Sequence, residues 1–137
     1  MNSISPTLTP IEYFTELIQS FPDLESEILE EDETFVHIKM ECFASYTVKQ
    51  IISMNWDDLR SCFEFQEQRM NRMDQYLRNA LDVSYFETLL LGEAWRSMDL
   101  VVVHMGPKVL QGYTAYKNYY ENLEKAYLRK LGKSDRA

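Results

Sequence analysis

Apolar residues recur at helical intervals through most of the chain, and the first such run begins at Ile11. The segment Thr9-Pro10-Ile11-Glu12 has the residues of a helix start: a capping threonine, a proline at the first helical position and a glutamate that closes a capping box. Pro22 then opens a second, short helix. The side chains that we expect to face the core from these two helices are Ile11, Phe14, Leu17, Ile18, Phe21, Leu24, Ile28 and Leu29.

Two later segments fit both a helix and a strand. Around Val36-His37-Ile38-Lys39-Met40, apolar and polar residues alternate as in a strand, yet residues 34–54 as a whole also follow a helical period. Because that pattern persists too long for an ordinary strand, it favours a helix. Residues 94–105 contain three consecutive valines, but their place between predicted helices favours a buried helix there too. Strand is kept as the alternative for residues 35–45 and 98–105.

Caps divide the middle of the chain into further helices. Asn55 precedes Asp57 and Asp58, which is a cap followed by acids in the first turn, where the helix dipole favours negative charge. Asp82 is expected to cap another helix, which ends at Gly92.

The last helix begins at Gly106-Pro107, where a glycine ends one helix and a proline starts the next, and it runs to about Leu131. Tyr119 lies beside the apolar seam of this helix and is the tyrosine most expected to be exposed. Tyrosine at such intervals packs in a core or adds contact area in an interface, and the spacing allows both. The seam itself consists of Val109, Tyr113, Tyr116, Tyr120, Leu123, Tyr127 and Leu131.

The elements together predict an all-α fold, a compact single-domain bundle of about six or seven helices. The 137 residues fit one domain, and an apolar fraction of 45% is ordinary for a globular chain. We expect residues 1–8 to form a flexible N-terminal lead, residues 9–131 to form the helical domain and residues 132–137 to form a frayed tail.

Charge is distributed unevenly along the chain. Residues 1–68 carry 14 acidic and 3 basic side chains, whereas residues 69–137 carry 8 acidic and 11 basic ones. The first half is therefore expected to repel nucleic acid and anionic lipid and to attract a basic protein surface. A solvated helix face would explain the same acids without any partner. The residues predicted to bind a partner are Glu27, Glu30, Glu31, Asp32, Glu33, Asp57, Asp58 and, from the last helix, Tyr119.

Catalytic chemistry finds little support in the sequence. His37 and His104 lie among apolar neighbours, and no glycine-rich phosphate loop is present. Cys42 and Cys62 are expected to be reduced, half-buried thiols. We therefore predict no enzyme activity, no cofactor and no metal site. The first residues lack the charge and the apolar run of a signal peptide, and no apolar stretch could span a membrane, so a cytoplasmic protein is expected.

Two stretches carry a resemblance to a known class of proteins. They are Asn79-Ala80-Leu81-Asp82-Val83-Ser84-Tyr85-Phe86-Glu87 and Met105-Gly106-Pro107-Lys108-Val109-Leu110 with the tyrosine-rich helix that follows. Together they resemble small bacterial all-helical domains that are similar to the immunity proteins of polymorphic or contact-dependent toxins. The resemblance covers roughly residues 36–125, and it implies neutralisation of a cognate toxin by covering its active site.

The leading hypothesis from the sequence is thus a non-catalytic acidic binding protein, in its most concrete form an immunity protein whose protein partner presents a basic surface, such as a toxin domain. Two alternatives remain open. A nucleic-acid mimic would use the same acids spaced like phosphates along one face, and a self-associating module would use the tyrosine-rich helix.

Overall fold

The computed structural model describes residues 7–135, and the side chains of residues 7–132. Within them the chain forms seven helices and no strand. Five are regular: α1 (Pro10–Ser20), α2 (Glu25–Glu30), α3 (Val36–Ile52), α4 (Trp56–Arg69) and α6 (Met98–Val101). Helix α5 starts as Gln75–Ala80, passes through the π-helical turns Leu81–Phe86 and ends as Glu87–Leu91. Helix α7 (Pro107–Asp135) is the longest, and short 3₁₀ turns lie at Pro22–Leu24, Met70–Arg72, Trp95–Ser97 and Val102–His104.

The all-α prediction is confirmed, and so is helix for both ambiguous segments. Residues 36–52 form α3, the helix around which the others are arranged, and residues 98–104 form α6 and a 3₁₀ turn. The alternation near Ile38 misleads because Ile38 itself is 42% exposed, whereas Val36 and Met40 are buried with the core-facing residues of α3.

Aromatic rings fill the space between α1, α3, α4 and α5. Phe43 of α3 lies 5.7 Å from Phe65 of α4 and 5.2 Å from Tyr85 of α5, measured between ring centroids. The buried Tyr13 hydroxyl donates to Gln66 Oε1 at 2.8 Å, and Tyr85 shares a hydrogen bond of 2.8 Å with Thr47. Each buried phenol therefore has a partner, as a buried hydroxyl requires.

Helix α1 starts as the sequence predicts. The Thr9 hydroxyl accepts the backbone N–H of Glu12, and the Glu12 carboxylate accepts the backbone N–H of Thr9 at 2.9 Å. These hydrogen bonds lower the pKa of Glu12, because they favour its ionised form.

Two other predicted caps are wrong in detail. Asn55 does precede α4, but its side-chain amide donates to Gln50 at 3.1 Å and does not cap the helix. Asp82 lies in the middle of α5, not at its start. The cap of α5 is Asp74, whose carboxylate accepts the backbone N–H of Leu77 at 2.7 Å.

Leu8 is more ordered, and the first two helices are less buried, than expected. Leu8 is buried and pairs with Met73, and its carbonyl accepts the N–H of Asp74 at 3.2 Å. The prediction of a flexible lead is thus wrong for Leu8, and residues 1–6 lie outside the described residues. Ile11 and Leu29, which were expected in the core, are 59% and 63% exposed because none of the described helices covers their side of the bundle.

Helix α7 begins at the predicted Gly106-Pro107 joint and continues to Asp135, past the predicted end near Leu131; residues 136–137 lie outside the described residues. Glu67 of α4 accepts the first free N–H groups of α7, those of Lys108 at 2.8 Å and Val109 at 2.9 Å. The seam is buried at Val109, Tyr113 and Tyr116, but every residue from Glu121 to Leu131 is exposed. Only the first half of α7 is therefore part of the bundle.

Candidate interaction surface

The acids predicted to bind a partner lie on α2 and on the turn that follows it. Leu24 and Ile28 anchor this segment in the core, so the charged positions between and after them point to solvent. Glu27 and Glu30 on α2 are exposed, as are Asp32 and Glu33 on the turn, while Glu31 is half-buried. The structure thus brings the five residues of the predicted cluster together.

Asp32 has a structural role in that turn. Its carboxylate accepts the backbone N–H of Thr34 at 2.9 Å and the Thr34 hydroxyl at 2.8 Å, and α3 starts two residues later. These hydrogen bonds lower the pKa of Asp32. The carboxylate is therefore ionised at neutral pH and fixed in position.

An apolar hollow of about 330 Å³ opens beside the turn. Glu31, Asp32 and Glu33 stand on its rim. Its walls come from α1 and α2 and include the exposed side chains of Ile11 and Leu29. Sequence reasoning missed this hollow, because it placed both residues in the core. Their exposure creates an apolar patch with a negative rim.

Lys39 of α3 also lines the hollow. Its side chain is only 6% exposed, and its ammonium lies 5.9 Å from the centroid of the Phe14 ring. The lysine acts on Asp32 as a nearby positive charge, with a smaller effect than the Thr34 hydrogen bonds. One cation faces three carboxylates, so the rim remains negative.

Further carboxylates surround the same side of α3. Burial raises the pKa of the Cys42 thiol, and the negative charges of Glu27, Glu31 and Glu41 raise it further. One turn later, burial raises the pKa of Tyr46, with contributions from Asp58 and Asp23 among others. Residues 39, 42 and 46 share one side of α3. We name the carboxylates along it the acidic face: Asp23, Glu27, Glu31, Asp32, Glu33, Glu41 and Asp58.

The two acids at the start of α4 therefore differ. Asp58 joins the acidic face, whereas Asp57 forms an ion pair with Arg60, three residues later on the same helix. Arg60 also approaches Nδ1 of His104 at 3.3 Å, and the His104 ring stacks on Trp56 with 5.0 Å between centroids. Asp57 belongs to this second cluster.

The acidic face carries no compensating ion pair within the part of the chain that the structure describes. The carboxylates that do lie within 4 Å of a lysine or arginine are Glu16, Asp57, Glu67 and Asp82, and none of them is on the face. Glu30, beside the face on α2, is likewise exposed. The negative potential is therefore not neutralised internally.

Tyr119 is exposed as predicted, but it does not join the acids. Its ring lies 6.0 Å from that of Tyr116, in a hollow between α5 and α7. The predicted set thus separates into three places: the acidic face with Glu30, the Asp57 cluster and the α5–α7 hollow.

One pair of residues has the composition of a catalytic dyad. The Ser84 hydroxyl lies 2.9 Å from Nδ1 of His37, a contact that sequence reasoning missed because 47 residues separate the two. Ser84 is 6% exposed, and no carboxylate is bonded to His37 among the described residues. A nucleophile needs both access and an oriented base. The pair therefore serves as a polar contact between α3 and α5.

The two thiols are equally unsuited to nucleophilic work. Burial raises the pKa of Cys62 to about 12, so its thiol remains protonated at neutral pH, and the pKa of Cys42 is raised as well. In residues 7–135 no group of three or more His, Cys, Asp or Glu side chains is placed to hold a metal ion. None of the described helices combines the length and the apolar character needed to cross a bilayer.

A family model described as a domain of unknown function, DUF7674, covers residues 14–121. The chain belongs to the DUF7674 family. The DUF7674 match includes the whole acidic face and ends where α7 leaves the bundle. No curated protein and no solved structure matches the chain.

Proposed function

We propose that this DUF7674 protein is a non-catalytic binding protein whose acidic face docks against a basic surface of a protein partner. The observation that carries the proposal is the set of carboxylates on that face, without ion pairs among the described residues, beside an apolar hollow. Such a surface has the two properties of a protein interface, an apolar centre and a charged rim.

The two parts of the surface act at different distances. Carboxylates concentrated on one face attract a basic partner over about one Debye length, roughly 8 Å at physiological ionic strength, and so speed association. Ile11 and Leu29 act on contact, because each Å² of apolar surface that the partner covers contributes about 25 cal/mol. Charge thus sets the on-rate, and the hollow slows dissociation.

The concrete form of the proposal is an immunity protein. Toxins that act on RNA, DNA or nucleotides bind their substrates in basic clefts, and an acidic inhibitor that covers such a cleft excludes the substrate. The resemblance of residues 36–125 to toxin-immunity domains supports this form.

The test compares two variants of equal net charge. In the first, Glu27, Glu31 and Glu33 are changed to lysine, while Asp32 is kept because it holds the start of α3. In the matched control the exposed Glu93, Glu121 and Glu124 are changed to lysine. Wild type and both variants are used for affinity capture from the native cell, with mass spectrometry of the captured protein.

The wild type and the control are expected to capture one basic protein in stoichiometric amount, and the acidic-face variant to lose it. With the purified partner at low salt, the face variant should associate at least about tenfold more slowly, with a flatter salt dependence. Equal on-rates for the two variants would refute docking through this face. A partner whose activity survives saturation with the wild-type protein would refute the immunity role alone.

A further inference from the structure

A second candidate site lies on another part of the molecule, in a cleft between α5 and α7. Two adjoining hollows, of about 330 and 360 Å³, share Arg78, Gly112 and Ala115 as lining residues, so they form one continuous cleft. Gly112 allows the two helices to approach, because a Cβ at this position would lie 2.8 Å from the Phe86 ring. The volume is within the range of small-molecule sites.

Arg78 stands where the two hollows meet, and its guanidinium has unused hydrogen-bonding capacity. Its Nε is buried without a hydrogen-bond partner, and the nearest carboxylate oxygen, on Asp82, is 3.6 Å away. The rest of the side chain reaches the surface, since the side chain as a whole is 38% exposed. A guanidinium offers five donors in a planar fork that matches the oxygens of a phosphate or a carboxylate.

One end of the cleft is basic, although the protein is acidic overall. Lys108 lines this end together with the side-chain amides of Asn71 and Gln111, and no carboxylate is among its lining residues. The nearest acid to the Lys108 ammonium is Glu67, at 3.9 Å, and that carboxylate already accepts two backbone N–H groups of α7. Two cations and two amides thus converge on one place.

The other end of the cleft is aromatic. Tyr119 is 58% exposed, and its ring is tilted by 45° to that of Tyr116. Tyr116 is fixed, because its hydroxyl donates to the Glu87 carboxylate. One helical turn of α7, about 5.4 Å, separates Ala115 beside Arg78 from Tyr119. A flat ring on Tyr119 could therefore be joined to an anion on Arg78 by a short linker.

We propose that the α5–α7 cleft binds a small phosphomonoester that carries a flat aromatic ring, the chemistry of a nucleoside monophosphate. Arg78 and Lys108 hold the phosphate through the donors that their long ion pairs with Asp82, at 3.6 Å, and Glu67, at 3.9 Å, leave open. The ring stacks on Tyr119. The site shares no residue with the acidic face, so ligand binding in the cleft can be tested independently of the proposed protein partner.

The probes are adenosine 5′-monophosphate, adenosine and inorganic phosphate, each titrated at millimolar concentration into the ¹⁵N-labelled full chain and followed by amide chemical shifts. Adenosine monophosphate should shift the amides of residues 71, 78, 111, 112 and 119. Inorganic phosphate should shift the basic end only and bind more weakly, and adenosine should bind weakest. Saturating shifts located elsewhere, or adenosine binding as tightly as its monophosphate, would overturn the proposal.

Variants distinguish specific binding in the cleft from unspecific attraction of the phosphate to positive charge. Arg78→Gln should weaken binding of adenosine monophosphate at least about tenfold, and Arg78→Lys, which keeps the charge and loses the fork, nearly as much. Tyr119→Ala should remove the advantage of the monophosphate over inorganic phosphate. Arg129→Gln, on the exposed half of α7, is the control and should bind like wild type.

Thermal melting of each variant checks that it folds. If Arg78→Gln does not fold, Arg78→Lys decides the question. Equal affinity of Arg78→Lys and wild type, or equal losses in Arg78→Lys and Arg129→Gln, would mean that the fork of Arg78 does not bind the phosphate, and the proposal would fail.

Discussion

The two halves of α7 have the same pattern of apolar residues and opposite surroundings. Tyr113 in the first half is 3% exposed and packs edge-on against Phe86 of α5, whereas Tyr127 in the second half is 63% exposed. Spacing places both residues on one seam of the helix. The difference shows that periodicity predicts which residues share a face, while burial depends on whether another element lies opposite. The DUF7674 match ends at Glu121, where the exposed stretch of α7 begins.

The largest effect is expected when one aromatic ring is removed from each half of α7. Tyr113→Ala should lower the free energy of unfolding by about 3 kcal/mol, because it deletes a buried aromatic side chain and leaves a cavity. Tyr127→Ala should change it by no more than about 0.5 kcal/mol, as is usual for an exposed position. Urea unfolding followed by circular dichroism measures both. Similar losses in the two variants would show that Tyr127 is packed in solution.

A smaller effect is expected at the start of the packed half. Glu67→Ala removes the acceptor of the Lys108 and Val109 N–H groups and should lower the free energy of unfolding by about 1–2 kcal/mol. Glu64→Ala, one turn earlier on α4 and exposed, is the control and should have little effect. Hydrogen exchange should accelerate at Val109 in the first variant alone. Unchanged exchange there would show that the cap does not stabilise this end of α7.

The smallest effect is expected at Tyr116, at the end of the packed half, where the free energy of unfolding should depend on alkaline pH. Burial raises the pKa of Tyr116, and the hydrogen bond to the Glu87 carboxylate raises it further. The folded protein therefore keeps this proton while the unfolded chain loses it near pH 10, so the stabilisation is present below about pH 10 and is lost as pH rises.

The contribution of this one phenol should be below about 1 kcal/mol at pH 10.5. Urea unfolding at several pH values should show a shallower loss of stability above pH 9 in Tyr116→Phe than in wild type. Parallel curves would contradict a raised pKa at this position.

Sequence reasoning was most successful where a local signal and the tertiary structure agree. The length of the apolar pattern over residues 36–52 correctly favoured a helix. The capping box at Thr9 and the start of a helix at Gly106-Pro107 are both in the structure where the sequence predicts them. It was wrong where only packing decides. Asp74 and Asp82 are equally good caps by residue type, and only the continuous course of α5 shows which one is used.

The candidate surface follows the same rule. The run from Glu27 to Glu33 could be predicted, since its residues are neighbours in sequence. Asp58 was predicted too, but its place beside these acids could not be, and Glu41 was missed, because both carboxylates meet α2 only through the packing of α3 and α4. The apolar hollow could not be predicted either, since the exposure of Leu29 depends on how the described helices pack around it.

The π-helical turns of α5 make the number of residues in that helix as important as their identity. Tyr85 touches the central helix α3 while its neighbour Phe86 touches α7, so consecutive residues join the middle of the molecule to its last helix. Loss of a single residue here would rotate everything downstream by about 100°. Glu87 would then face away from Tyr116, and α7 would lose its contacts with α5.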